Sequence, residues 1–305
     1  MVGGGIAGLL LAYKLRDLNP IVFDRRRNAG KKCTGIISYE TFLKLGVSKE
    51  FVDRFFNLIE IKYDNKYSVY VNTNILRLNR EKLELWLDNE VKTKRPVNAV
   101  VKENLIITGN EKFSGIVVDC SGWKGKAKWL KAIEYLVEPI NEEKITVYLD
   151  RRNVGGFSWI VPLPYGTLIG SISYNDPRPF LPNIEKRVLD MHGGAIPRVL
   201  PDLKPKMLKL GDSTGLVKSF TGGGIFSIAS LLSPLVKGIY NNDFNEYYDT
   251  YNKLAKEIRR QYYITNVLEH TWRFLPLIFK IYNGKTIRVS EEFDMHSFLI
   301  RRIPH

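Results

Sequence analysis

The chain has 305 residues, 44% of them hydrophobic and 26% charged. That length can bury a substantial core, and the balance is ordinary for a soluble globular protein, so disorder is not expected to dominate. The 46 Lys and Arg outweigh 32 Asp and Glu for a formal net charge of +14, which suits a lysine-rich surface or acidic partners such as nucleic acid, anionic lipid or phosphorylated small molecules.

Cys33 and Cys120 are too few for a disulfide framework or a metal cage, and no metal site is expected. No basic segment precedes the first apolar run, residues 6–15, which is also too short to span a bilayer. A cytoplasmic protein is expected, with peripheral attachment to a membrane left open.

In chain order, a glycine cluster opens an expected helix over 6–18 that stops before Asn19-Pro20. Ile21-Val22-Phe23 reads as a short buried strand. Residues 60–71 alternate around Asp64-Asn65 and read as a hairpin. Residues 80–89 read as a helix with Leu83, Trp86 and Leu87 on one side. Short strands over 97–119 end in the apolar run Ile116-Val117-Val118. Strands return over 145–175, with turns at Gly155-Gly156 and Tyr165-Gly166. A brief strand at 208–210 runs into Gly211, a helix is expected over 223–240, and residues 256–305 read as helical and aromatic.

Gly3-x-Gly5-x-x-Gly8 matches the dinucleotide fingerprint. One glycine allows the tight turn, one lets the backbone approach a pyrophosphate, and one lets helix and sheet pack closely; the pyrophosphate then faces the positive helix N-terminus. Asp24, about twenty residues on at a strand end, stands where an acid accepts ribose hydroxyls. Only Met1 and Val2 precede Gly3, where a full strand is usual. Losing a central strand would strip hydrogen bonds from both neighbours, so an upstream extension ending in an apolar strand is expected.

Gly211-Asp212-Ser213-Thr214-Gly215 followed by Thr221-Gly222-Gly223-Gly224-Ile225 reads as a second contact to a flavin dinucleotide. Asp212 would accept a ribityl hydroxyl, and the N–H groups near Gly222, Gly223 and Gly224 would face phosphate or flavin carbonyls. The same segment matches the G-x-S-x-G nucleophile elbow, with His270, His296 and His305 downstream. A hydrolase, however, leaves the N-terminal fingerprint without a use. Arg80 opens a helix and is available to the nucleotide, and Asp119-Cys120-Ser121-Gly122 follows an apolar strand as a nucleotide-domain strand end does.

These segments, in this order, resemble the p-hydroxybenzoate hydroxylase-like FAD-dependent oxidoreductases and, within them, the geranylgeranyl reductase family. Phe157-Ser-Trp159-Ile-Val161-Pro162, then six residues, then Ile169-Gly170, is similar to the family's Y-x-W-x-F-P-x6-V-G pattern. Lys32-Cys33-Thr34-Gly35 is similar to its cysteine-glycine segment near the flavin. Ser219 stands where the family's third flavin segment usually has proline.

The resemblance covers roughly residues 1–230. The order of elements along the chain fits an α/β architecture: a Rossmann-like FAD-binding domain (1–35, 76–122 and 205–255), an interleaved β-rich substrate-binding domain (36–75 and 123–204) and a helical C-terminal region (256–305). The resemblance implies an FAD-dependent reductase acting on double bonds of geranylgeranyl chains in lipids or prenyl diphosphates. Cys33 and Trp159 are expected beside the reacting chain, with Phe157, Trp159 and Pro162 walling an apolar tunnel. No second dinucleotide fingerprint is present, so the electron donor is either transiently bound NAD(P)H or another reductant. A flavin monooxygenase of the same fold and a non-catalytic nucleotide- or lipid-binding protein are the alternatives. No nucleic-acid recognition motif is present, and no nucleic-acid partner is expected. The aromatic, basic C-terminal region is expected to pack on the core, to cap a lipid tunnel or to lie on a membrane.

Overall fold

The computed structural model describes residues 1–183, 185–289, 293 and 294. In chain order the elements are α1 (Ile6–Lys14), β1 (Ile21–Phe23), β2 (Ile36–Ser38), α2 (Tyr39–Leu45), β3 (Val52–Tyr63), β4 (Tyr67–Leu78), α3 (Arg80–Glu90) and β5 (Lys92–Lys94). There follow β6 (Val100–Lys102), β7 (Leu105–Thr108), β8 (Glu111–Ser114), β9 (Lys128–Val137), β10 (Ile145–Leu149), β11 (Phe157–Leu163), β12 (Gly166–Ser173) and β13 (Val188–Arg198). The C-terminal part holds α4 (Ile225–Asn241), α5 (Asn245–His270), α6 (Leu275–Ile281) and β14 (Thr286–Arg288).

A parallel sheet carries the fingerprint. β1 pairs with β5, and parallel bridges extend the sheet from Phe23 to Val2, from Val2 to Asp119 and from Asp119 to Lys209. Met1-Val2 therefore occupies the central lane: Gly3 N–H donates to Phe23 O (2.8 Å) and Cys120 N–H donates to Val2 O (2.7 Å). The expected strand over Ile116-Val117-Val118 shrinks to two bridges at Asp119, one to Val2 and one to Lys209. The small antiparallel sheet β6–β7–β8 packs on this lane through Ile106, against Val2, Phe23 and Val117.

Helix α1 is apolar nearly throughout, and Ile6 to Ala12 are all buried. Such a helix needs cover on more than one side; α3 and α4 supply it. It ends at Lys14 rather than near residue 18. Pro20 disfavours the α region for Asn19, and the chain passes through a 3-10 turn to a left-handed Asn19 (φ 49°). Helix α3 is capped by Asn79, whose side chain accepts from Lys82 N–H. Its buried Leu83 and Leu87 lie one turn apart.

The larger sheet runs β13–β9–β12–β11–β10–β3–β4–β14, with β2 also on β4. The β3–β4 hairpin is longer than the alternation over 60–71 suggests. Asp64 and Asn65 turn it with φ 48° and 54°, the paired positive φ of a type I′ turn. The C-terminal region is helical, as expected: α5 runs without a break through residue 256 and α6 follows it. β14 then adds in parallel to the edge of β4, satisfying groups an edge strand leaves unpaired. The reading of residues 295–305 lies outside the described residues. Among the described residues no helix is long and apolar enough to cross a membrane.

A buried ion pair joins the larger sheet to α5. Arg198, at the end of β13, is almost wholly buried; it pairs with Glu269, donates to the Tyr174 hydroxyl, and donates to Gly155 O at 3.1 Å.

Candidate functional site

The three glycines of the fingerprint divide by physical role. Gly3 has φ +108°, and a Cβ there would lie 2.2 Å from Cys120 O. A Cβ on Gly8 would lie 2.0 Å from Gly3 O. Both are demanded by the contact of helix with sheet. Gly5 is different: its backbone is extended (φ −90°, ψ −174°), and a Cβ there would meet only the guanidinium ends of Arg80 and Arg26 at 3.5 and 3.7 Å and Glu84 Oε1 at 3.9 Å. Nothing in the protein requires glycine at residue 5. Gly4, absent from the motif, is the more crowded, since its Cβ would meet the Arg95 guanidinium at 2.5 Å and Asp24 at 2.8 Å.

Asp24 is buried at the end of β1. It accepts from Gly4 N–H (2.6 Å) and Arg26 N–H (2.7 Å) and pairs with Arg26 (3.2 Å) and Arg95 (3.1 Å). Burial raises its pKa, but the hydrogen bonds and charge of Arg26, with the charge of Arg95, outweigh that and hold the carboxyl below its usual range. Both of its oxygens already have protein donors, so a ribose hydroxyl would have to replace an arginine contact. Glu84, fully buried, sits at the N-terminus of α1. It accepts from Ile6 N–H (2.8 Å), Lys31 N–H (2.8 Å) and Arg80 Nε (2.6 Å). Burial works against the Arg80 charge, but Glu84 outweighs it, and the fields of Cys33 and Asp212 add to the effect, so the arginine pKa is raised. Gly5, Arg80, Cys33 and Asp212, dispersed in sequence, thus share one neighbourhood.

The third segment meets the same place. Asp212 lies in a 3-10 turn, and a Cβ on Gly224 would be 2.8 Å from its Oδ1, so the carboxylate abuts the first turn of α4. Gly222 (φ +73°) lies against Ile196, and Gly223 against the Lys218 side chain. Lys218 is buried and pairs with Asp294 (2.7 Å), which also accepts from the hydroxyls of Ser38 and Thr41. Burial raises the Asp294 pKa, but the charge and hydrogen bond of Lys218, with the two hydroxyls, hold it well below the carboxylate range. The contribution of this carboxyl to stability is therefore present above its unfolded pKa of about 3.9 and is lost as pH falls below it. Asp294→Asn is expected to flatten the decline in stability between about pH 5 and about pH 2. Urea melts of both proteins at each pH check this; parallel curves would contradict it.

The nucleophile elbow is excluded by geometry. Ser213 is buried, and its hydroxyl donates to Asp119 O (2.6 Å) and lies 3.1 Å from Leu210 O. His270 Nδ1 is bonded to Asn266 O, one turn back in its own helix (2.7 Å), while His296 and His305 lie outside the described residues. Cys120 is no nucleophile either, since burial pushes its thiol up to about 12.

A second polar cluster lies on the larger sheet. Glu134 of β9, itself buried, accepts from Trp159 Nε1 (2.6 Å) and from the Thr34 hydroxyl, and its Oε1 lies 3.2 Å from His192 Nε2. Lys32 pairs with Asp190 of β13. These contacts fasten the segment around half-buried Cys33 to the sheet that carries Trp159.

Other expectations for this region change. Trp159 pairs across the hairpin with Gly170, where a Cβ would meet its ring at 2.2 Å. The Trp-to-Gly spacing is therefore a packing requirement. Alternation along β11 puts Phe157 and Trp159 on one face, their rings 5.6 Å apart, and Pro162 on the other. Pro162 does not share a wall with Trp159. No signal in the sequence marked Glu134 or His192. Glu84 could have been found from its i,i+4 spacing to Arg80.

No family model matches the sequence, and no curated protein matches it. Solved structures do match. A geranylgeranyl bacteriochlorophyll reductase-like protein from Thermoplasma acidophilum is 18% identical with a TM-score of 0.72, over 88% of this chain and 86% of that one. PqsL of Pseudomonas aeruginosa, described as a probable FAD-dependent monooxygenase, is 15% identical with a TM-score of 0.67, over 91% and 98%. A triple mutant of the flavin-dependent brominase Bmp2 is 14% identical with a TM-score of 0.66, over 91% and 88%. The chain has the fold of FAD-binding, Rossmann-type flavoproteins. In that flavoprotein fold, Gly5, Asp24 and Arg80 lie at the C-terminal end of the parallel lanes, where open α/β sheets bind ligands.

Proposed function

We propose that the chain is an FAD-dependent oxidoreductase that saturates carbon–carbon double bonds in prenyl chains of lipids or prenyl diphosphates. The observation that carries the cofactor is Gly5: its free side faces two guanidiniums at the start of α1 and meets no part of the protein that needs glycine. Arg80 and Arg26 offer charge-assisted hydrogen bonds to a pyrophosphate, balancing the Glu84 carboxylate beside them. Asp212, against Gly224, offers an acceptor for a ribityl hydroxyl. FAD, when bound, supplies two-electron reduction of an alkene, with electrons from NAD(P)H or another reductant.

The prenyl substrate rests on the similarity of residues 157–170 and of Lys32-Cys33-Thr34-Gly35 to the reductase pattern, and on likeness to the Thermoplasma protein. Phe157 and Trp159 offer an apolar face that continues through Phe220, stacked 5.7 Å from Phe157. Glu134 holds the Trp159 indole and Thr34 together, keeping Cys33 beside that sheet.

The test begins with the purified protein: its cofactor is released and identified by mass spectrometry, with FAD expected. Reduced protein is then mixed without oxygen with a geranylgeranyl lipid, and flavin reoxidation is followed by absorbance. Reoxidation with gain of hydrogen by the lipid supports the reductase. Turnover that requires oxygen and adds an oxygen atom supports a monooxygenase instead. Bound FAD is expected in both cases, and its absence overturns both.

A further inference from the structure

We propose that the outer face of α6 docks on an anionic lipid bilayer. The proposal does not rest on the flavin reading and can fail separately from it.

Helix α6 is apolar on two sides. Leu275 and Phe279, one turn apart, are buried with Trp272 against Tyr63, Val69 and Leu149. That inner face is enough to hold the helix on the sheet. On the outer side, Phe274, Leu277, Ile278 and Ile281 are 48%, 60%, 51% and 65% exposed. Their spacing, i, i+3, i+4 and i+7, makes a single stripe along the helix. A helix fixed by one face ordinarily presents a polar face to water, and the outer side of this one is apolar apart from Lys280. Single exposed apolar residues are common on any surface, but a contiguous stripe marks an interaction site.

The charge around the stripe indicates its occupant. From residue 270 to residue 289 the sequence contains no Asp or Glu. Arg273, Lys280 and Lys285 are exposed, and none of the three forms an ion pair among the described residues. The Arg273 guanidinium lies 4.8 Å from the Phe274 ring centroid and the Lys285 ammonium 5.3 Å from that of Tyr282. Arg273, against Phe274, and Lys280, next to Ile281 in α6, thus border the stripe, with apolar stems that can lie along it and charged heads that can reach a headgroup layer. A second copy of the chain would bring the same positive border against this one. An anionic bilayer meets both features, apolar side chains entering below the headgroups and basic ones pairing with them.

The test is co-sedimentation of the purified full chain with vesicles of phosphatidylcholine alone and of phosphatidylcholine mixed with phosphatidylglycerol. Binding to the mixed vesicles, weaker in high salt, is expected. Joint replacement Leu277→Ser, Ile278→Ser and Ile281→Ser should weaken binding by on the order of a hundredfold, from three apolar side chains kept in water. Its melting temperature should match wild type, because all three side chains are exposed. Lys280→Gln should weaken binding about fivefold, and it carries the test should the triple variant fold poorly. Wild-type protein that ignores both vesicles overturns the proposal, as does equal binding by wild type and variants. So does a wild-type dimer that the serine variant converts to monomer, since a second copy would then cover the stripe.

Discussion

Replacing Gly5 by valine is expected to leave the fold intact and to weaken FAD binding at least about a hundredfold, or ~2.7 kcal/mol. The extended backbone at Gly5 suits valine, and the nearest atoms to a Cβ are flexible guanidinium ends at 3.5 and 3.7 Å. The added volume faces the space between α1, Arg80 and Arg26, where a pyrophosphate must meet the backbone. Gly8→Ala is the contrasting variant. Its Cβ would sit 2.0 Å from the Gly3 carbonyl, a backbone atom that cannot swing away. It should cost stability at or above the ~1–3 kcal/mol typical of overpacking. Flavin absorbance after desalting, with a melting curve for each variant, separates the two effects. A valine variant that keeps stoichiometric flavin would refute the nucleotide reading. An alanine variant at residue 8 that melts like wild type would refute the packing account.

Glu269→Ala is expected to destabilise the protein by about 3–5 kcal/mol, because it strands Arg198 without its counter-ion. Arg198 is almost wholly buried, and its remaining partners, the Tyr174 hydroxyl and Gly155 O, are neutral. For a chain of this size, ~1 kcal/mol corresponds to roughly 2–4 °C, so melting should fall by on the order of 10 °C. The double replacement Arg198→Met with Glu269→Leu removes both charges and should recover most of that loss, since a buried pair often contributes little beyond an apolar pair of like shape. Thermal unfolding of the three proteins decides it. If the single and double variants melt together, the loss comes from packing and not from the orphaned charge. The pair matters to architecture because it ties α5 to the larger sheet at the end of β13.

Periodicity and glycine placement made much of the scaffold legible in the sequence. The fingerprint, the short strand ending at Asp24, the helix from Arg80 and the Gly-Asp segment before α4 all depend on local rules: turn chemistry, capping and the apolar period of each element. The elements that surround Gly5 therefore followed from residue order.

Local rules could not assign roles within the motif. Gly3, Gly5 and Gly8 look alike in sequence, and only the distances to Cys120, Gly3 O and Arg80 separate packing from ligand approach. Nor could they show that Asp24 is engaged by Arg26 and Arg95, or that Glu84 caps α1 from another helix. A buried carboxylate and an exposed one are the same letter.

The sheet end of the site was the least legible. Glu134 and Trp159 are joined across the sheet, and Thr34 reaches them from a loop that precedes both strands. Pro162 reads as a neighbour of Trp159, yet alternation along β11 turns it to the opposite face. The sequence alone marked the glycine-led first helix, the strand before Asp24, the helix from Arg80 and the Gly-Asp turn before α4, and the chemistry each can offer. Only the tertiary structure decided which side chains meet, because strand pairing and burial bring together groups that no period along the chain relates.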